Sequence, residues 1–241
     1  MPLSVQRNSA HGSPIHVAII MDGNRRWAQK KGFRGVFGHR EGAKAVRRAV
    51  ESAIDLGVAH LTLFGFSSEN WSRPGEEIAS LLGLLRLHLR ADLDELYAKG
   101  VRISFIGDRV RFPEDINELM LHAEKKTKLN QRLCLTIALS YGSRPEILEA
   151  TKMIVQSAID GKINLEDLDE ASFSKYLETV NLPDPDLLIR MGGEQRISNF
   201  LLWQIAYTEL YFTDVCWPDF SKKVLEEALF DFQSRERRFG A

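Results

Sequence analysis

Apolar runs and stretches of helical period alternate from one end of the chain to the other. The run Val17-Ala-Ile-Ile-Met21 is short and unbroken, as a strand buried on both faces should be. Five more such runs fall at residues 61–66, 101–106, 133–139, 186–189 and 209–212. Between them the spacing turns helical. Residues 40–56 put Ala43, Val46, Val50, Ala53 and Ile54 on one face, and Gly57 suits the stop. Residues 76–99 predict one long helix, leucine-rich and apolar over much of its surface, ended by Gly100. Further helices are expected at 113–128 with proline near the first turn, at 145–159, at 172–177, and at 198–207 behind a Ser198 cap. A last one opens at Ser221 and carries Val224, Leu225, Ala228, Leu229 and Phe232. A helical segment also follows Trp27 directly, and residues 32–38 and 67–74 read as loops. Strands alternating with helices predict an α/β fold, a mostly parallel central sheet of about six strands with helices on both faces. No repeat, low-complexity tract or linker divides it. Residues 13–241 are expected to form a single domain behind a loose tail, residues 1–12.

In an open α/β sheet, ligands bind beyond the carboxyl ends of the strands. The polar, arginine-rich stretches all follow strands, at 22–27, 67–73, 140–144 and 190–198. Asp22 stands beside Gly23, where backbone can approach a ligand, and next to Arg25 and Arg26. That set suits a polyphosphate carrying a divalent cation: the acid holds the cation and the guanidiniums hold phosphate oxygens. Taken singly, each residue has an ordinary reading. Asp22 could cap a helix, and His39 could be a packed loop histidine. Arg73 could be solvated before Pro74, Arg190 could pair with an acid, Arg196 could be a surface charge, and the leucines of 76–99 could be plain core. Their coincidence at one sheet edge shifts the weight toward a site.

Composition narrows the classes. The chain has 241 residues, 44% of them hydrophobic, enough for one large core. Its net charge of −1 gives no basic field, so no nucleic-acid partner is expected. The two cysteines, Cys134 and Cys216, form neither a metal nor a disulfide pattern, which fits a reducing cytosol. No apolar run reaches the ~18 residues of a membrane span, and residues 1–12 lack the apolar segment of a secretion signal. There is no P-loop, no dinucleotide fingerprint and no nucleophile elbow. No Asp-Asp-x-x-Asp pair is present, which argues against trans-type prenyltransferases. Glu166-Asp-Leu-Asp-Glu170 reads as a solvated helix start.

Longer stretches carry a family likeness. They are His16-Val-Ala-Ile-Ile-Met-Asp-Gly-Asn-Arg-Arg-Trp27, Phe37-Gly-His-Arg-Glu-Gly42, Phe66-Ser-Ser-Glu-Asn-Trp-Ser-Arg-Pro74, and Ile189-Arg190 with Gly192-Gly-Glu194. Arg196-Ile-Ser-Asn-Phe-Leu-Leu-Trp-Gln204, Glu209-Leu-Tyr-Phe-Thr-Asp214 and Trp217-Pro-Asp219 continue the series. Together they span nearly the whole chain in order. The sequence resembles the bacterial cis-prenyltransferases, most closely the undecaprenyl diphosphate synthases. It departs from the family pattern at Gly35, where many relatives carry Arg, and at Ser140, Ser143, Met191 and Gln195.

The resemblance implies an apolar tunnel in the fold and a Mg²⁺-dependent condensation of isopentenyl diphosphate onto farnesyl diphosphate. The implied product is a long polyprenyl diphosphate such as undecaprenyl diphosphate, a lipid-carrier precursor for cell-wall polysaccharide. By resemblance, Asp22 binds Mg²⁺ on the allylic diphosphate and is catalytic. Gly23, Asn24, Arg25 and Arg26 surround that diphosphate, and Trp27 and His39 complete its site. Ser67, Ser68, Glu69, Trp71 and Arg73 belong to a substrate-binding loop, with Asn70 at the position the family treats as proton acceptor. Arg190, Arg196, Ile197 and Ser198 take the diphosphate of isopentenyl diphosphate, and Glu209 contributes to its magnesium. Leu133 matches the closed end of the tunnel. A homodimer is implied, cytoplasmic, touching the inner membrane surface in passing to release product. Other product lengths, or a non-catalytic partner subunit of such an enzyme, remain alternatives; such partners typically lose the Asp-Gly-Asn motif, which is intact here.

Overall fold

A computed structural model describes residues 15–235; the expected tail, residues 1–12, lies outside them. The six apolar runs form β1 (His16–Ile20), β2 (His60–Ser67), β3 (Val101–Ile106), β4 (Leu133–Tyr141), β5 (Leu187–Arg190) and β6 (Glu209–Phe212). All neighbours pair in parallel, in the order β3-β4-β2-β1-β5-β6. Because side chains alternate along a strand, β1 serves two cores. Val17 and Ile19 join the large cluster with Leu61, Leu63, Leu135 and Ile189, while Ala18 and Ile20 join a smaller one with Phe64, Tyr141 and Phe200. From β1 the chain moves to β2 on one side, and from β5 to β6 on the other. The crevice beyond the ends of β1 and β5 is therefore the topological switch point, where open sheets bind ligands.

Eight helices accompany the strands among the described residues: α1 (Asn24–Lys30), α2 (Gly35–Asp55), α3 (Gly75–Ala91), α4 (Leu93–Ala98), α5 (Glu114–Thr127), α6 (Ser143–Ile159), α7 (Glu170–Ser174) and α8 (Lys222–Ser234). Four expectations need correction. First, half of the expected loop 32–38 is helix, since α2 starts at Gly35. Its glycines are packing residues: a Cβ on Gly38 would lie 1.9 Å from the Asn24 carbonyl oxygen, and one on Gly42 would lie 2.2 Å from Asn24 Oδ1. Second, the long helix 76–99 is two helices. The break falls at Asp92, whose carboxylate meets Arg47 of α2 at 2.5 Å and His88 at 2.7 Å. Third, no helix forms over 198–207. Ser198, Asn199 and Leu201 hold positive φ of 48°, 61° and 49°, which a right-handed helix cannot contain. The segment is instead a series of turns around buried Phe200, which stacks on Phe64 at 4.4 Å. Fourth, the expected helix 172–177 starts earlier, because Asp169 caps α7 by accepting the Ser172 N–H at 2.7 Å. The 67–74 loop also contains a 3₁₀ turn, Ser68–Ser72.

Candidate active site

Register puts three strand ends side by side: Ile20 of β1 is level with Phe64 of β2 and with Arg190 of β5. The chain leaves β1 through Asp22 and turns at Gly23. There φ is +93°, and a Cβ would sit 2.9 Å from Cys216 Sγ, so only glycine fits. The turn brings the Gly23 N–H to 2.6 Å from Asp22 Oδ1. The other carboxylate oxygen accepts from Arg190 Nη2 at 2.7 Å. Arg190 is 4% exposed and also donates to Ser198 Oγ at 2.7 Å and to the Arg196 carbonyl. Nearby, Glu194 holds two further arginines, Arg26 at 2.8 Å and Arg196 at 2.5 Å, and Arg26 also reaches the Gly192 carbonyl.

Asp22, Gly23, Arg26, Arg190 and Ser198 of this set wall an open cleft of about 920 Å³. Of the expected residues, Asp22, Gly23, Asn24, Arg25, Arg26, His39, Ser67, Glu69, Asn70, Arg73, Arg190 and Ser198 line it. Three buried polar atoms here have no hydrogen-bond partner: Asn24 Oδ1, His39 Nε2 and Arg190 Nε. Buried polar groups are rarely left so, and a polyoxygen ligand in the cleft would satisfy the two that can donate. His39 Nε2 stands 3.7 Å from Glu77, which is also held by Arg73 at 3.2 Å. Burial, and then the Arg73 charge, lower the His39 pKa below its ordinary value, so the ring is neutral at pH 7.

The loop after β2 is tied down at both ends. Asn70 Oδ1 accepts the Ser67 N–H at 3.1 Å, which fixes the amide and leaves its NH₂ as the available polar group. Ser68 lies against Gly142, where an added Cβ would meet its Oγ at 2.5 Å. Glu69 accepts from Asn199 Nδ2 at 2.8 Å, which bridges this loop to the turns after β5. Trp71 donates to Ser140 Oγ at 2.8 Å and packs on Phe66 and Phe112.

Other expected residues lie outside the lining. Trp27 is buried beside Cys216 and donates to Asp219 at 2.7 Å, so it braces α1 from behind. Trp71 and Ile197 act as packing groups, and Arg196 stands on the rim, 61% exposed. Glu209 starts β6, level with Leu187, the first residue of β5, and pairs with Arg235 at 2.8 Å. That is the strand-start edge of the sheet, opposite Asp22, so within one chain Glu209 cannot share a cation with it. Sequence reasoning missed Asn199 and Gln29, which line the cleft. An asparagine next to Ser198 in a turn was the one signal for Asn199, and the helical reading of 198–207 hid it.

Behind the cleft lies an apolar cavity of about 200 Å³ between α2, α3, α4 and one face of the sheet. It shares Met21, Asn24, His39, Gly65 and Leu81 with the cleft, so these five residues form a common wall between the two. Leu135 and Ile137 of β4 line it. Leu133 is two residues earlier on that strand face and fully buried, one layer beyond the lining.

A charged cleft at the switch point stands beside this apolar hollow, and comparison with known proteins identifies the family of the chain that carries them. Residues 20–240 match the family described as "Putative undecaprenyl diphosphate synthase". The chain belongs to this prenyltransferase family. An isoprenyl transferase of Clostridium perfringens is 48% identical over 94% of this chain and 90% of its own length. A ditrans,polycis-undecaprenyl-diphosphate synthase of Xanthomonas axonopodis pv. citri, named as (2E,6E)-farnesyl-diphosphate specific, is 49% identical over 94% and 88%. Among solved structures, lavandulyl diphosphate synthase from Lavandula x intermedia, in complex with dimethylallyl diphosphate, superposes with a TM-score of 0.92 at 38% identity, covering 95% of this chain and 99% of its own. A "probable undecaprenyl diphosphate synthase" from Campylobacter jejuni gives 0.79 at 35%, covering 95% and 100%.

Proposed function

We propose that the chain extends farnesyl diphosphate by successive cis-condensations with isopentenyl diphosphate. The product is a polyprenyl diphosphate of undecaprenyl length, which would serve as a lipid-carrier precursor for cell-wall polysaccharide. The observation that carries this reading is the shared wall of cleft and tunnel. A diphosphate held by Arg25, Arg26, His39 and the Gly23 turn leaves its hydrocarbon one direction to go, past Leu81 into the apolar cavity. A second diphosphate at Arg190, Arg196 and Ser198 lies one ion pair away from Asp22.

Reaction begins with rupture of the allylic C–O bond, and negative charge grows on the departing diphosphate. The Arg26 guanidinium, fixed in advance by Glu194 and the Gly192 carbonyl, stabilises that charge without reorganising. Asp22 is the residue that would hold a Mg²⁺, and the ion would supply further stabilisation of that charge when bound. The isopentenyl double bond then attacks the allylic carbon, and a proton is lost. Asn70 does not take that proton alone, because an amide is a poor base and its carbonyl already accepts from Ser67. Its NH₂ orients a phosphate oxygen that does. Each five-carbon unit buried in the tunnel gains roughly 4 kcal/mol, at ~0.8 kcal/mol per carbon, so a long product leaves slowly. The enzyme is read as a cytoplasmic homodimer that visits the inner membrane surface to hand that product over. Among the described residues, no helix is long and apolar enough to cross a membrane.

The test is chain-length analysis of products formed from farnesyl and isopentenyl diphosphates with Mg²⁺. A ladder ending in one dominant long polyprenyl product is expected. A single condensation that stops, or no transfer, would overturn the reading.

A further inference from the structure

Between Asn24 and Arg40 the chain carries six basic residues, Arg25, Arg26, Lys30, Lys31, Arg34 and Arg40, and no acidic one, although its net charge is −1. In the middle of this basic stretch three apolar side chains face solvent: Phe33 at 49% exposure, Val36 at 48% and Phe37 at 49%. The two phenylalanine rings stack on each other, with centroids 5.3 Å apart. The turn that presents them is held firmly. The Phe33 N–H donates to the Ala28 carbonyl at 2.8 Å, Gly38 packs on the Asn24 backbone, and Lys31 sits 4.3 Å over the Trp27 ring. Lys30, Arg34 and Arg40 are exposed around the knob. It stands on the rim of the diphosphate cleft. Arg25 and His39 line that cleft, and a Cβ on Gly35 would lie 3.5 Å from Arg25 Cγ.

We propose that residues 30–40 form a docking surface for an anionic lipid bilayer, placed so that the cleft opens at the headgroup level. The inference rests on the proposed lipid product, which needs a membrane as acceptor. The chemistry fits that occupant. Aromatic rings favour the membrane interface, and clustered lysine and arginine are drawn to the negative surface of anionic lipids within a Debye length. A second copy of the chain fits worse, because two such faces apposed would set like charges against each other. Binding through one turn is reversible, as product delivery requires, and is far weaker than insertion of a membrane-spanning helix.

The experiment is flotation of the full chain with phosphatidylcholine vesicles, with and without phosphatidylglycerol. Two variants are compared with the parent, Phe33→Ser with Phe37→Ser, and Lys30→Gln with Arg34→Gln. None of these residues lines the cleft. The parent should bind the anionic vesicles and be released by high salt. Each variant should lose roughly tenfold or more in binding, while keeping its melting temperature and its rate of first condensation in vesicle-free buffer. Equal binding by parent and variants, or equal binding to neutral vesicles, would overturn the surface. So would a fall in the oligomeric state of the phenylalanine variant, which would make a second copy the occupant. The two readings fail separately: prenyl transfer without vesicle binding rejects the surface, and variant-sensitive vesicle binding without transfer supports it and rejects the proposed reaction.

Discussion

The cleft and the tunnel meet at Met21, Asn24, His39, Gly65 and Leu81, yet they draw on different parts of the chain. The cleft is made of strand ends and turns, with arginines pinned by carboxylates and with polar atoms on Asn24, His39 and Arg190 left unpartnered. The tunnel is made of helix faces and one sheet face, and beyond the shared Asn24 and His39 its polar lining is His88 and Asp92, paired to each other at 2.7 Å. One region stores fixed charge, which acts on the barrier. The other stores empty apolar volume, which acts on how much chain can be accommodated. Changes in the cleft should therefore alter rate and leave product length alone. Changes in the tunnel should alter product length and leave the first condensation alone.

The largest effect is expected at Asp22. Asp22→Asn keeps the size of the side chain and removes its charge, so turnover at saturating Mg²⁺ should fall by roughly 10²–10³-fold or more. Whatever product forms should have the parental length. Asp22→Ala should in addition lower stability by about 1–3 kcal/mol, because Arg190 is buried and loses its carboxylate partner. Near-normal initial rates in Asp22→Asn would break the assignment.

Length control is the converse case. Leu133→Ala removes the layer beyond Leu135 and should lengthen the products, at a stability cost of ~2–5 kcal/mol. Leu135→Trp intrudes on the cavity itself and should shorten them, with overpacking of ~1–3 kcal/mol. First-condensation rates should stay near the parent's in both. Product chromatography beside a melting curve decides, and a lowered melting temperature with unchanged products would make Leu133 plain core.

Smaller effects are expected from the two arginines proposed to hold the second diphosphate. Arg196 is exposed on the rim, and its loss as Arg196→Ala should raise the KM for isopentenyl diphosphate about tenfold, the equivalent of ~1.4 kcal/mol. Arg190→Ala should cost more, up to roughly a hundredfold, since it also frees Asp22 and Ser198. Steady-state kinetics with each substrate varied in turn would show it. A rise in the KM for farnesyl diphosphate instead would mean that the two phosphate positions are exchanged.

How much of this was readable beforehand divides along the same line. The central strands were legible because a parallel sheet buried on both faces writes itself as short apolar runs, and the edge strand β6, half-buried and exposed in alternation, was legible from its short apolar run Leu210-Tyr-Phe212 alone. The cleft was legible because its residues follow strand ends. Where the reading failed, a residue type had two uses. Gly38 punctuates a loop in sequence, but in the fold it and Gly42 let α2 lie against Asn24. Ser198-Asn-Phe200 looks like a helix start, but positive φ aims its polar groups at Arg190 and Glu69. Trp27 sits in a motif whose neighbours line the cleft, but its hydrogen bond to Asp219 shows that it braces α1, and the register shows that Glu209 starts a strand. The tunnel was legible merely as a leucine-rich helix, since which leucines face a void depends on the break at Asp92.

The smallest effect, at His39, tests the boundary between the two regions, because this ring lines both. Burial and Arg73 hold its pKa below 6.5, with Glu77 opposing. The unfolded chain therefore takes up the proton first as pH falls, so His39 lowers stability progressively below pH 6.5. A bound diphosphate reverses the local sign. Its negative charge beside Nε2 favours the imidazolium and raises the pKa, so binding an allylic diphosphate near pH 6 should draw in a fraction of a proton. Titration calorimetry in two buffers of different ionisation enthalpy reads that uptake directly. It should vanish at pH 8, and it should shrink in His39→Gln, which keeps a polar head at the same place and cannot titrate. Uptake that persists unchanged in His39→Gln would move the proton to another group and leave His39 as wall.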